Sequence, residues 1–442
     1  MAKSKSIPKS TLARSTELLK LAAKVGGKEI KHRLQQVSEK VQENSPSQLS
    51  KQIEQVKLMV DSLGRLKGAA MKIGQLVSMD FGDLFPPEVR TILEQLQNQS
   101  PHFLDIQEIK KILQKELNSK FDLLTELSDK PIAAASIGQV HTAFYEGRKI
   151  VLKIQYPNIE KSIDSDLTIL QGIVQALLSV ARKKMDLTSI FDEMKIVFSR
   201  ETNYLLELEN LKRYQEIFSS HSDYVVPQAV DELCTERVVA MNYEEGVTLR
   251  EWIRKTSDPK EKEAMGSKVL DLYLIEYFQN AFVQSDPNPA NFLVNSKNQL
   301  VLLDLGAVRS FERSFVTDYV ELMNCVHSMD RPASIFQSEK MGFLDSREKL
   351  ETKNLFYEML RSSLCAFDEN RQPFDFNDRE YFKHSQNVSQ DFSRLSEFTP
   401  PPSKLIFLHR KLVGIFGLLK DLGLKVDLRS YWKRVNQSVK KS

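Results

Sequence analysis

The stretch Phe282-Val-Gln-Ser-Asp286-Pro-Asn-Pro-Ala-Asn291-Phe-Leu-Val, followed closely by Leu302-Leu-Asp304-Leu-Gly306, constrains this chain more than any other. An aspartate is followed five residues later by an asparagine. A short apolar strand, a polar turn at Asn295 to Asn298, a second apolar strand and an Asp-Leu-Gly turn complete it. The pattern predicts two oxygen-rich loops joined by a β-hairpin, so the fold must contain sheet as well as helix.

The chain has 442 residues, 41% hydrophobic and 27% charged, enough for a substantial core in two to four domain-sized units. A net charge of +3, without aromatics interleaved among basic runs, argues against a nucleic-acid partner. Cys234, Cys325 and Cys365 are odd in number and far apart, which suits a reducing compartment and buried thiols. No apolar run reaches the roughly 20 uninterrupted residues of a membrane span. Residues 1–34 carry nine Lys/Arg against Glu17 and Glu29, with leucines among them. A basic amphipathic helix, a flexible leader and an organelle transit peptide all fit that composition.

From Gln48 the apolar spacing is helical, Pro86-Pro87 interrupts it, and another helix starts near Val89, so the first ~130 residues read as helical. Val140 to Tyr145, the turn Glu146-Gly-Arg-Lys149 and Ile150 to Gln155 read as a β-hairpin. Long helices are expected over Glu160 to Arg182 and Leu187 to Phe218, then strands at Ala229 to Leu233 and Arg237 to Tyr243. Glu244-Glu245-Gly246 reads as a hinge, and the rest as chiefly helical apart from the two strands of the opening pattern. For the apolar segment of Leu405, Ile406, Leu408, Leu412, Val413, Ile415, Phe416 and Leu419, packing on the C-lobe is expected, with a dimer or membrane surface as alternatives. The units are 1–45, a basic leader; 46–130, helical; 131–245, a strand-rich lobe; 246–330, a lobe with both loops; and 331–442, its helical continuation.

Lys153, on the second hairpin strand, Asp286, Asn291 and Asp304 follow the order and spacing of the catalytic and metal-binding residues of protein kinases. There the lysine binds the α- and β-phosphates of ATP, the first aspartate orients the nucleophile, and asparagine and second aspartate share Mg²⁺, which prefers hard oxygen ligands. Turn chemistry is the plain alternative, because Asp and Asn are common before Pro and Gly. A carboxylate should aim Lys153, and Glu193, Glu201, Glu207 and Glu209 are all on offer. Where a phosphate-binding loop would have glycines, the chain has Ala133, Ala134, Ala135 and Ser136. Alanines restrict positive φ, so nucleotide handling should differ.

With Lys72-Ile-Gly-Gln75, the Ala133 to His141 run, Val151-Leu-Lys-Ile-Gln-Tyr-Pro157 and the two loops in hand, the chain resembles the UbiB (AarF/ADCK) family of atypical kinase-like proteins. The resemblance implies an α+β, two-lobed atypical protein-kinase-like fold with an N-terminal helical extension and a largely helical C-lobe. It implies that Lys72 and Gln75 sit on a lid over the nucleotide site, and that Ala133 to Ser136 form the family's alanine-rich loop. It selects Glu201 as the partner of Lys153 and puts Asn203 where the family has aspartate. It implies ATP and Mg²⁺ as cofactors, and a prenyl-lipid or quinone precursor, an anionic membrane surface and quinone-biosynthesis proteins as partners. The location expected is cytoplasmic at a membrane surface, with mitochondrion or plastid as the alternative. A protein kinase proper is the second expectation, although no Ala-Pro-Glu motif follows Gly306. A nucleotide-gated scaffold is the third.

Overall fold

The computed structural model describes residues 103–440, apart from 136, 158, 160–163, 165–166, 169–170, 172–187, 287 and 394–402. The leader, the stretch with Lys72 and Gln75, Ser136 and most of the helix expected over Glu160 to Arg182 lie outside the described residues. The chain separates into two compact units, and the division passes through the central hairpin. Of the described residues, one holds those up to Asn118, Leu127–His141 and Lys153–Thr202, and the other Ser119–Glu126, Thr142–Leu152 and those from Asn203 on.

In the first unit, helix α1 (Ile106–Leu117) begins where the Asp105 carboxylate accepts the N–H groups of Gln107 and Glu108, and it buries Ile109, Leu113 and Leu117. That four-residue spacing puts all three on one stripe. The buried Gln139 amide ties the chain ahead of α1 to the sheet, accepting Leu104 N–H at 2.8 Å. Strand β1 (Leu124–Thr125), of the second unit, is followed by β2 (Ala133–Ala135), which runs antiparallel to the start of β3 (Gly138–Tyr145), with Ala133 opposite Val140. Strand β4 (Arg148–Gln155) follows, then α2 (Thr188–Glu201), which buries Phe191, Met194 and Phe198.

The hairpin tip belongs to the second unit. Glu146 and Gly147 both have positive φ, 49° and 76°, as the two-residue turn matched to the strand twist requires. The sheet order is β1-β3-β4-β6, where β6 is Val238–Asn242. A second sheet runs β5-β10-β9-β7: β5 (Tyr224–Val225), β7 (Val247–Thr248), β9 (Phe292–Val294) and β10 (Leu300–Leu302). The expected pair of strands is β9 and β10, antiparallel with Leu293 opposite Val301. Strands β8 (Phe282–Gln284) and β11 (Val308–Ser310) form a further antiparallel pair around the two loops.

Three expectations are corrected. The helix expected over Leu187 to Phe218 is two helices, α2 and α3 (Tyr204–Phe218). Thr202 Oγ1 donates back to the Phe198 carbonyl and Asn203 Oδ1 accepts Leu206 N–H, so these side chains compete with the helical ladder and restart it. The strand expected over Ala229 to Leu233 is one bridge, Ala229 to Met241, followed by a 3₁₀ turn at Asp231–Leu233. The part beyond Gly246 also carries more strand than expected: β7, β8 and β11, and β12 (Phe374–Asp375) paired with β13 (Lys425–Val426).

The helices after β7 are α4 (Leu249–Lys255), α5 (Pro259–Tyr273), α6 (Arg313–His327), α7 (Arg331–Lys340), α8 (Leu350–Leu364), α9 (Arg379–Ser393), α10 (Ser403–Asp421) and α11 (Arg429–Lys440). Helix α10 packs on α5 and buries Phe407, Leu408, Leu412, Ile415, Phe416 and Leu419 in the core, as expected of this segment, while Val413 is exposed. No described helix is long and apolar enough to cross a membrane. The three cysteines are free and half-buried, less enclosed than expected. Burial pushes the Cys234 and Cys365 thiols up to about 11, which keeps them protonated and unreactive.

Candidate active site

The opening loop is built by its own side chains. Asn288 Oδ1 accepts Ala290 N–H and starts a single 3₁₀ turn, Pro289–Asn291, which swings Asn291 back towards Asp286. Asn291 Nδ2 then donates to Asp286 Oδ2 at 3.2 Å, and Asn288 N–H to Asp286 Oδ1 at 3.3 Å. Because the amide nitrogen of Asn291 faces Asp286, its Oδ1 must face away. That leaves one hard oxygen beside a buried carboxylate, the donor type that suits Mg²⁺.

The second loop is held against the first. Leu303 N–H donates to the Asn291 carbonyl at 3.0 Å, and Gly306 N–H to Asp304 Oδ1 at 3.1 Å. Gln284 joins the two: its Oε1 accepts Asp286 N–H and its Nε2 donates to the Asp304 carbonyl. Asp286, Asn291 and Asp304 are therefore brought together within one unit. The oxygens present fit a Mg-nucleotide. Among the described residues no group of three or more His, Cys, Asp and Glu gathers as a zinc-type centre would need.

Helix α3 braces the Asp-Leu-Gly turn from the side. Asn210 Nδ2 donates to the Leu305 carbonyl at 2.9 Å. The point where a Gly306 Cβ would sit lies 3.3 Å from Glu207 Oε2 and 3.4 Å from Asp304 Oδ1, so two carboxylates flank this glycine. Of the glutamates considered on this segment, Glu207 is 2% exposed and Glu209 is exposed. Gln284 and Asn210 are the residues that sequence reasoning missed. A signal for Asn210 existed: the buried face of α3 runs Tyr204, Glu207, Asn210, Leu211, Tyr214, Phe218, and polar groups on an apolar stripe need partners.

Lys153, Glu201 and Ala133 to Ala135 lie in the first unit. Lys153 and Gln155 share a face of β4. Gln155 Nε2 donates to the Thr202 carbonyl at 2.8 Å, fastening the strand to the end of α2. Glu201, the last residue of α2, is 7% exposed. A carboxylate buried at a helix C-terminus opposes the helix dipole, so it is retained where cations or donors meet it. Ala133 and Ala134 are exposed and Ala135 half-buried, on a strand rather than a packed turn. Asn203, where the resemblance expects aspartate, is the N-cap of α3.

Residues 95–337 match the ABC1 atypical kinase-like domain. The chain is 31% identical over 386 residues to a zebrafish (Danio rerio) protein named atypical kinase COQ8B, mitochondrial, covering 87% of this chain and 61% of that one. It is 29% identical to atypical kinase COQ8, mitochondrial, of Saccharomyces cerevisiae, covering 98% and 86%. Among solved structures, Rv3197 of Mycobacterium tuberculosis, in complex with erythromycin, superposes with a TM-score of 0.58 at 24% identity, covering 83% of this chain and 92% of that one. That last likeness speaks for the fold alone.

Proposed function

The chain belongs to the ABC1 atypical kinase-like family, and from that premise we propose that it is a Mg²⁺-dependent atypical kinase or ATPase serving ubiquinone or related prenyl-lipid metabolism at a membrane surface. The observation that carries the chemistry is the Asp286–Asn291 contact joined through Gln284 to Asp304. Lys153 orients the α- and β-phosphates, and Glu201 holds Lys153. Asn291 Oδ1 and the Asp304 carboxylate would hold the metal, which would supply charge that offsets the phosphate oxygens. Asp286 orients the nucleophile, a water or a substrate hydroxyl, with its carboxylate steadied by Asn291. Asn210 keeps the Asp304 turn in place, and Glu207 lies beside its glycine. Ala133 to Ser136 cover the phosphates, and Lys72 and Gln75 restrict what enters.

The relatives' names include "mitochondrial", which supports a mitochondrial setting over a cytoplasmic one. The acceptor class, a prenyl-lipid or quinone precursor or an enzyme handling one, follows the family resemblance.

The test is Mg²⁺-dependent phosphate release from ATP, with and without anionic liposomes and a prenylated phenol, in wild type and Asp304→Asn. Lipid-stimulated release in wild type and a loss on the order of 10²-fold in the variant are expected. Equal release from both proteins would sink the metal assignment. Transfer of phosphate to a protein would favour a protein kinase, and binding without release a nucleotide-gated scaffold.

A further inference from the structure

Glu276 is a carboxylate that the phosphate chemistry does not use, and it is 1% exposed. It lies on a π-helical turn, Leu274–Gln279, between α5 and β8. Such turns in α-helices are uncommon and are frequent at functional sites. A buried ionised carboxylate is strongly disfavoured unless several groups compensate it. Tyr214 Oη donates to Glu276 Oε1 at 2.8 Å. The ammonium of Lys411, itself 1% exposed, reaches in from α10 to 2.8 Å from Oε2. Burial pushes the Glu276 carboxyl up from its usual range, while Lys411, Tyr214 and the backbone N–H of Gln284 pull it back.

That third donor follows from the strand pairing. Ser285 N–H donates to the Ala307 carbonyl and Phe311 N–H to the Ala281 carbonyl. Alternation along β8 turns the N–H of Gln284 to the opposite edge, towards Tyr214 and Glu276. The side chain of the same residue, which is 2% exposed, spans Asp286 N–H and the Asp304 carbonyl. Gln284 is thus joined by its main chain to a buried ion pair and by its side chain to both carboxylate-bearing loops.

We propose that Gln284, held through Glu276 by Lys411, is the positioning residue that sets metal affinity at Asp304, which makes α10 part of the phosphate-handling machinery. The inference rests on the reading that Asn291 and Asp304 hold the metal. The Gln284 amide offers the acceptor and the donor that this arrangement uses: methionine offers neither, and glutamate loses the donor. Residues that orient metal ligands typically change metal affinity 10- to 100-fold when replaced.

The test uses the full chain and titrates Mg²⁺ against binding of a fluorescent ATP analogue. The variants are Gln284→Met, Lys411→Met, their double and Asp304→Asn. Proteins are compared only after each shows a cooperative melt, so that a loss of fold is not read as a loss of metal. The Mg²⁺ midpoint is expected to rise at least tenfold in Gln284→Met, and to rise in Lys411→Met. The double variant is expected to be no worse than the worse single one. If Lys411→Met does not fold, Glu276→Gln combined with Lys411→Met, which strands neither charge, takes its place. A wild-type midpoint in Gln284→Met beside a shifted one in Asp304→Asn overturns the inference alone, as do single effects that multiply in the double variant. A wild-type midpoint in Asp304→Asn overturns the metal reading and this inference with it.

Discussion

Asn291 donates its side-chain nitrogen to Asp286, which turns its amide oxygen away from that carboxylate. That the two residues share one loop was legible, because Asp286 and Asn291 are neighbours along the chain, where local spacing largely decides geometry. His141 was quoted only as part of a motif, and its environment needed the fold. The ring is fully buried, with Nδ1 2.8 Å from the Ser128 carbonyl, so that nitrogen carries the proton, and Nε2 accepts from Gln139 Nε2. Burial lowers its pKa below 6.5, against the pull of the Ser128 hydrogen bond. A pKa depressed on folding contributes stability that is present above the unfolded value and is lost as pH falls through the folded one. Acidification below 6.5 should therefore destabilise the protein with a slope of at most about 1.4 kcal/mol per pH unit from this residue. Urea unfolding of wild type and His141→Gln from pH 7.5 down checks it. Parallel pH profiles in the two proteins would count against the assignment.

At the scale of elements, the hairpin β3–β4 was readable because strand periodicity and a Gly turn agree. The break between α2 and α3 was not, since Thr202 and Asn203 lie inside a continuous helical pattern and only their hydrogen bonds reveal the restart. Gly246, read as a hinge, has a steric reason to be glycine. An added Cβ would stand 2.8 Å from the Val294 carbonyl oxygen of β9. Backbone cannot yield there as a side-chain tip would, so Gly246→Ala should cost about 1–3 kcal/mol. Because β9 begins immediately after Asn291, phosphate release should fall with it. Denaturant midpoints of the two proteins measure the first effect, and an unchanged midpoint would show that the approach is not as tight as the distance implies.

For the whole molecule, the proposed Mg-ATP ligand would bind the folded chain and not the unfolded one, so its addition should raise the melting temperature. At a hundredfold excess over Kd the gain is about 2.7 kcal/mol. Asp304→Asn should lose the part of that shift that depends on Mg²⁺ and keep the part that does not, read by thermal denaturation with ATP alone and with Mg-ATP. Identical shifts in both proteins would contradict a metal role for Asp304. By itself the amino-acid order determined the kinase-like class, the succession Lys153, Asp286, Asn291, Asp304 and the family, because residue type and short spacing are properties of a chain before it folds. Only the tertiary structure decided that Gln284 bridges the loops, that Asn210 braces the Gly306 turn with Glu207 beside it and that Lys411 neutralises Glu276. Most of those partners are far apart in the chain and share no periodicity. What brings them together is the cost of leaving a buried polar group unpaired, which acts only once a core exists to bury it.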